Sequence, residues 1–356
     1  MLCGIYPFHL KERILFFISK FAKNKYMQGI LKHFFIFLRG MGMGTADIIP
    51  GVSGGTIAFI TGIYDKLVET VNRFDHRAVK LFFRGQFSSF FKHINWKFLL
   101  PLLLGVATAI ITLASIISSL LDTHRIYLWG FFFGLIAASA LVIMQQIKSW
   151  HLFRFALLFA GVLFAFLITT YNLFTLPEGN FYLFVSGLFA IVAMILPGVS
   201  GSYILLLMGK YEEVIGIVSS LSDSLKEILS GLRRFDFLHI AQSFGSIPWV
   251  QLILFASGCI IGLISFAKML NWLLKKFYYS TMSVLTGFLI GSLNLVWPWK
   301  HTISWRESSD GSLKPLQESN ILPNTLNLET LYVFLLALVG FLLVYFINRI
   351  AGSKKI

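Results

Sequence analysis

Two copies of the pentapeptide PGVSG supply the residues best suited to chemistry. The first spans residues 50–54 within MGMGTADIIPGVSGGTIAFITGIY, and the second spans 197–201 within ILPGVSGSYILLLMGKY. A proline suits the first turn of a helix, where a missing N–H costs nothing. A helix start leaves N–H groups unpaired and presents the positive end of the dipole. Glycines allow a ligand close to the backbone, and serine or threonine hydroxyls add donors. Together these features bind an anion. The candidate contacts are Pro50, Gly51, Val52, Ser53, Gly54, Gly55 and Thr56, with Pro197, Gly198, Val199, Ser200, Gly201 and Ser202. Free N–H groups are expected at Val52, Ser53 and Gly54. Small residues in apolar helices also mark close helix packing, a reading that competes with the anion site.

Two charged residues flank the first copy. Asp47 lies inside an apolar block, where a carboxylate is costly and is by default functional. It is a candidate site for a coupling cation, H+ or Na+; its competing role is to cap the following half-helix. Arg39 is the natural partner for Asp47 or for an anionic ligand. Alternatively it is an anchor snorkelling to lipid headgroups.

The elements that must hold these residues are membrane helices. Of the 356 residues, 56% are hydrophobic and 13% are charged, about half the charge of a soluble chain. Six runs are long enough to cross a bilayer, near 98–121, 126–147, 153–171, 250–274, 280–298 and 330–348. Two further apolar blocks, near 34–64 and 181–210, surround the PGVSG copies. Each reads as a re-entrant pair of half-helices, the second half of the first pair running from Pro50 to Tyr64, about 20 Å. Residues 1–27 read as an amphipathic segment lying on an anionic leaflet. Neither Cys3 nor Cys259 forms part of a redox or metal motif.

Charge sets the orientation. Seven Lys and Arg precede residue 40 and seven more lie in 65–97, so both ends of the first block are expected on the cytoplasmic side. With both blocks re-entrant, cytoplasmic segments hold 21 of the 30 Lys and Arg, and both termini are cytoplasmic. Segments 210–249 and 299–329 fall outside. Residues 49–64 align without gaps to 196–211, and Gly130 corresponds to Gly287. The chain therefore divides into halves at 28–175 and 176–350, with a short tail at 351–356. Each half is a re-entrant hairpin followed by three spans. Three is odd, so the second half enters from the opposite face. The fold expected is all-α and polytopic, an inverted-topology repeat of the kind that places transport sites at the midplane.

The run GMGMGTADIIPGVSGGTIAFITGIYDKLV, with the second LPGVSGSYILLLMGKYEE, resembles the bacterial polyprenyl-phosphate transporter family, long catalogued as a domain of unknown function. The resemblance extends from about residue 35 to past residue 300. It implies translocation of undecaprenyl phosphate, the lipid carrier of cell-wall building, from the outer to the inner leaflet of the bacterial plasma membrane. The lipid's tail can stay in the bilayer while its phosphate crosses. Moving that charge inward against an inside-negative potential costs about 2.3 kcal/mol per charge per 100 mV, which cation coupling offsets.

A transporter or channel for a small water-soluble anion shares the same site without a lateral opening. An enzyme is excluded on chemistry: no span places a histidine near an acid or serine, and no metal-ligand cluster is present. His33 and His93 fall in basic surface segments and are expected to be solvated. Nothing in the sequence calls for a cofactor, a metal or nucleic acid.

Overall fold

Long apolar runs bounded by Trp, Lys and Arg become helices, because only a helix satisfies every backbone donor and acceptor within its own segment in lipid. The computed structural model describes residues 25–49, 52–170, 176–307, 313–323 and 327–352. The N-terminal segment with Cys3, most of the amphipathic stretch, Pro50, Gly51 and the last four residues lie outside them.

The first block forms α1 (Lys25–Ile48) and α2 (Gly54–Ile60). Three short helices follow, α3 (Tyr64–Asn72), α4 (His76–Phe83) and α5 (Phe87–His93), then α6 (Trp96–Thr123), α7 (Arg125–Gln146) and α8 (Leu152–Thr170). The second block gives α9 (Asn180–Ile195) and α10 (Gly201–Leu207). After it come α11 (Tyr211–Arg234), α12 (Phe237–Gly245), α13 (Trp249–Lys276), α14 (Tyr278–Ser292), strands β1 (Lys300–Glu307) and β2 (Leu313–Asn320), and α15 (Leu328–Gly352). Among the described residues, five helices are long and apolar enough to cross a membrane: α6, α7, α8, α13 and α15.

Helices pair through glycine. In α1, GMGMG is helical throughout, and its glycines serve packing: a Cβ at Gly40 would overlap the Leu102 carbonyl, and one at Gly105 would overlap the Phe37 carbonyl. The same exchange recurs between α9 and α13, with Gly187 against Phe255 and Gly258 against Phe184. Such contacts let two backbones approach closely where no hydrophobic effect drives helices together. The two remaining pairs link the halves of the chain: α7 packs on α15, and α8 on α14. Gly134 meets the Ala337 carbonyl in the first of these, and Gly291 meets the Val162 carbonyl in the second, where a Cβ would lie 2.5 Å from that oxygen.

Several sequence expectations are corrected. The half-helix expected from Pro50 to Tyr64 is seven residues long. It starts after Ser53, whose extended backbone and side-chain bond to the Gly55 N–H make it the N-cap. It stops because Gly62 takes φ +70 and the Ile63 N–H returns to the Ala58 carbonyl, a Schellman closure. Gly209 stops α10 in the same way, with the Lys210 N–H on the Leu205 carbonyl. Pro197 precedes the cap Ser200 and sits in a turn with Gly198 at φ +85, so it does not occupy a first helical turn. The fifth expected span, 280–298, stops at Ser292, and the segment 300–320 beyond it forms an antiparallel β-hairpin. The all-α expectation is amended by that hairpin alone among the described residues. His93, expected to be solvated, is partly exposed and also bonds to Asp75 at 3.1 Å.

Candidate functional site

The two motifs meet. Ser53 Oγ donates toward the carbonyls of Met194 and Leu196, each 3.2 Å away, and accepts from the Gly55 N–H at 3.1 Å. In return the Gly198 N–H donates to Thr56 Oγ1 at 2.9 Å. Leu196 is the C-cap of α9, so Ser53 satisfies carbonyls that the helix end leaves orphaned. Ser53, Thr56 and Ser200 are buried. Convergence of the two copies was legible in the repeat; their mutual bonding was not.

The donors expected to be free are largely engaged. The Val52 N–H bonds the Ile49 carbonyl, and the Gly54 N–H bonds Asp47 Oδ1 at 2.7 Å. The expectation of open N–H groups at Val52 and Gly54 is thereby corrected: the chain supplies its own acceptors, because a buried unpaired N–H costs about 1–3 kcal/mol. Asp47 caps α2, and Gly54 is required beside it, since a Cβ there would lie 2.5 Å from Asp47 Oδ2. No cation pairs with Asp47 among the described residues. Ser200 Oγ and Ser202 Oγ share a bond of 3.0 Å, and the Tyr203 N–H reaches Ser200 at 3.5 Å.

Beside α2 lies a cavity of about 800 Å³. Its walls come from α1, α2, α7 and α15, with Phe98 of α6, and they are mainly apolar: Phe35, Ile36, Ile57, Phe131, Leu135 and Val344 among others. Three cations face it, Lys32 and Arg39 from α1 and Lys66 from α3, along with the hydroxyl residues Thr45 and Thr61; no acid lines it. Among the described residues Lys32 and Arg39 have no ion pair or hydrogen bond. Lys66 stacks its ammonium 4.8 Å from the centre of the Phe98 ring. Burial pushes its pKa below the ordinary lysine value; Lys32, Arg39 and Arg73 push the same way, and Glu69 opposes them. Cations gathered on one apolar wall repel one another, and an anion relieves that repulsion. Phe35, Leu38, Leu343 and Ile347 line the cavity and are also exposed, so its apolar side is not sealed between α1 and α15.

Of the expected site residues, the structure places Arg39 in this cavity. The described residues of both motifs cluster at the crossing. Lys32, Lys66, Thr45 and Thr61 were missed. Their signals were present: Lys32 and Arg39 lie seven residues apart on one helix face, and Lys66 follows the block by two residues.

Residues 43–314 match the sequence profile of the VCA0040-like family, described as undecaprenyl phosphate translocase-like. The chain is 42% identical over 287 residues to a polyprenyl-phosphate transporter of Vibrio cholerae, covering 81% of this chain and 85% of that protein. It is 29% identical over 273 residues to a polyprenyl-phosphate transporter of Staphylococcus aureus, covering 73% and 85% respectively. No solved structure matches it.

Proposed function

The chain belongs to the undecaprenyl phosphate translocase-like family, and on that premise we propose that it moves a polyprenyl phosphate, undecaprenyl phosphate, from the outer to the inner leaflet of the bacterial plasma membrane. It is a transporter and not an enzyme. The lipid so returned re-enters cell-wall synthesis. One observation carries the reading: an apolar cavity faced by three cations and no acid, with one flank unsealed. A phosphate monoester pairs with Arg39, Lys66 and Lys32 while its prenyl tail leaves through the gap between α1 and α15. Arginine and lysine suit that task through charge-assisted bonds to phosphate oxygens.

The orientation supported by the charge distribution is an inverted repeat with both termini cytoplasmic. The recurring glycine exchanges support the repeat, and the two short helices following the caps Ser53 and Ser200 are its re-entrant arms. The cavity then faces the cytoplasm, the release side. On the way there the phosphate passes the crossing of the two motifs, where Ser53, Thr56, Ser200 and Ser202 offer hydroxyls. Inward movement of the anion is uphill, so we assign cation coupling to Asp47, a carboxylate that accepts the Gly54 N–H and pairs with no cation among the described residues.

The test is reconstitution with labelled undecaprenyl phosphate, scoring leaflet exchange beside chloride and inorganic phosphate flux. Arg39→Ala or Lys66→Ala should raise the half-saturating lipid fraction about ten- to a hundredfold, from the roughly 1.5–3 kcal/mol of a hydrogen bond to a charged group. Flux of small anions without lipid exchange would overturn the reading.

A further inference from the structure

A second cation cluster lies at the N-terminal end of α7. Arg125 opens that helix and grips Glu318 of β2 through both guanidinium nitrogens, at 2.7 and 2.9 Å. Lys300 of β1 lies 3.6 Å from the same carboxylate and donates to the Leu295 carbonyl at 2.6 Å. Both cations stand over one indole: Arg125 is 5.7 Å and Lys300 5.3 Å from the Trp129 ring centre. The Trp129 N–H is buried and has no partner among the described residues. Two cations thus share one acid beside an orphan donor, which leaves one positive charge and one hydrogen-bond donor to be met. Arg125 is also accessible, with its side chain 37% exposed.

An apolar groove of about 550 Å³ lies at the same end of α7. Leu120, Tyr127, Tyr332, Leu335 and Val339 line it, with His124, the chain neighbour of Arg125. Along α15 the groove ends at Val339 and the cation-lined cavity begins at Leu343, four residues or about 6 Å further on. Groove and cavity therefore lie end to end on one helix, each with cations near it. A groove lined by no Lys, Arg, Asp or Glu takes an apolar chain, and the adjacent cations take an anion.

We propose that Arg125, Lys300 and the Trp129 N–H form an outer capture site for the phosphate of a prenyl-type lipid, that Glu318 occupies this site as a built-in anion in the present conformation, and that the groove holds the lipid's tail. This inference rests on the transport reading above and adds to it the point of loading. Glu318 holds the place that the phosphate takes: the bidentate geometry of an Arg–carboxylate pair is also that of an Arg–phosphate pair. Loading exchanges one anion for another on the same donors. The exchange frees the hairpin from α7 and couples capture to a movement of the outer end.

The competing interpretation is a structural latch, in which Arg125 and Glu318 only hold the hairpin down. The two make opposite forecasts. For a latch, removing either partner breaks the same tie, so Arg125→Ala and Glu318→Gln act in the same direction. For a capture site with a built-in competitor, they act in opposite directions.

The measurement is the initial rate of outer-to-inner movement of labelled undecaprenyl phosphate in vesicles of one protein orientation, against its mole fraction in the outer leaflet. Thermal unfolding of each purified variant verifies its fold. Arg125→Ala and Lys300→Gln should raise the half-saturating fraction about tenfold, from the loss of a charge-assisted bond. Glu318→Gln, which keeps an acceptor but removes the competing charge, should lower it severalfold. Same-direction shifts, or no shift in Arg125→Ala, overturn the inference while wild-type lipid movement keeps the transport reading intact. Inorganic phosphate competing as well as the lipid at equal concentration overturns the assignment to a lipid. Wild-type protein that moves no polyprenyl phosphate overturns the transport reading and this inference together.

Discussion

Asp47 can be assigned two roles, and one pair of substitutions separates them. As a cap, its carboxylate accepts the Gly54 N–H at 2.7 Å in a half-buried position. Asparagine retains an acceptor oxygen at the same reach, so Asp47→Asn loses only the favourable charge at a helix N-terminus, about 0.3–1 kcal/mol. Asp47→Ala leaves the N–H unpaired, which costs about 1–3 kcal/mol. Thermal unfolding of the purified protein should therefore rank wild type, then Asn, then Ala. Gly54→Ala tests the geometry independently. Its Cβ would meet Asp47 at 2.5 Å and nothing else is nearer, so Asp47→Ala should partly rescue it, a coupling that a double-mutant cycle reads directly. As a coupling site, the carboxylate's charge matters and its shape does not. Asp47→Asn should then be well folded yet show transport that no longer responds to an imposed proton or sodium gradient. An Asn variant as unstable as Ala refutes the cap. An Asn variant with wild-type gradient dependence refutes the coupling role.

Three further outcomes follow from the same structure. Thr56→Val removes the acceptor of the buried Gly198 N–H and should lower stability by about 1–3 kcal/mol, whereas Thr56→Ser should restore it in thermal unfolding. Burial, opposed by Glu318 and aided by Arg125, pushes Lys300 down to about 8, so the outer site loses a cation as pH rises through 8. Outer-leaflet capture should weaken between pH 7 and 9, and Lys300→Arg should flatten that profile. The sign for stability is the reverse: a lysine whose folded pKa lies below its unfolded value costs stability when charged, so the same pH rise relieves that cost, and weaker capture there is not unfolding. Single cysteines placed at Asp223 should label from outside, and cysteines in 76–93 should label only from the cytoplasm; the reverse pattern would remove the proposed orientation.

Much of the fold is legible in the sequence because lipid leaves the backbone few choices. The boundaries of α6, α7, α8 and α13 fall within a few residues of the apolar runs, since a charged or aromatic residue at each end marks the interface. The PGVSG repeat located the crossing because a glycine and proline break in an apolar block needs a partner to cover it. What escaped was what that partner would be. Ser53 and Thr56 have the composition of an anion site, and only the packed structure shows their bonds going to Leu196 and Gly198 of the other copy. Gly62 and Gly209 align in the repeat, yet their role as helix stops emerges from φ values near +70. Lys66 was grouped with the basic flank because one-dimensional counting cannot see that α3 turns it back over Phe98. The hairpin escaped for a similar reason: KHTISWRE is short and polar, and its pairing partner lies beyond a turn.

The doubled motif raised two readings, ligand binding and helix packing, and on the proposed function they become two states of one device. On the proposed function, a phosphate must pass the crossing of the two motifs, where no lysine or arginine of the described residues bonds to Ser53, Thr56 or Ser200. The donors available there are the Gly54 and Gly198 N–H groups and the serine and threonine hydroxyls. In the present conformation these are bonded to Asp47, Thr56 and the end of α9. An ionised phosphate is a stronger acceptor than the Thr56 hydroxyl, since bonds to charged groups contribute about 1.5–3 kcal/mol against about 1 for neutral pairs, while at Gly54 it meets another acid, Asp47. A phosphate at the crossing therefore competes for the bonds that hold the two halves together. Without ligand, those bonds re-form and the halves lock. Movement of the crossing is thus conditional on an anion being present, which is what a transporter requires to avoid cycling empty. The glycine exchanges between α1 and α6 and between α9 and α13 keep each half-helix on a rigid pair, so the rearrangement is confined to the loops around Ser53 and Ser200.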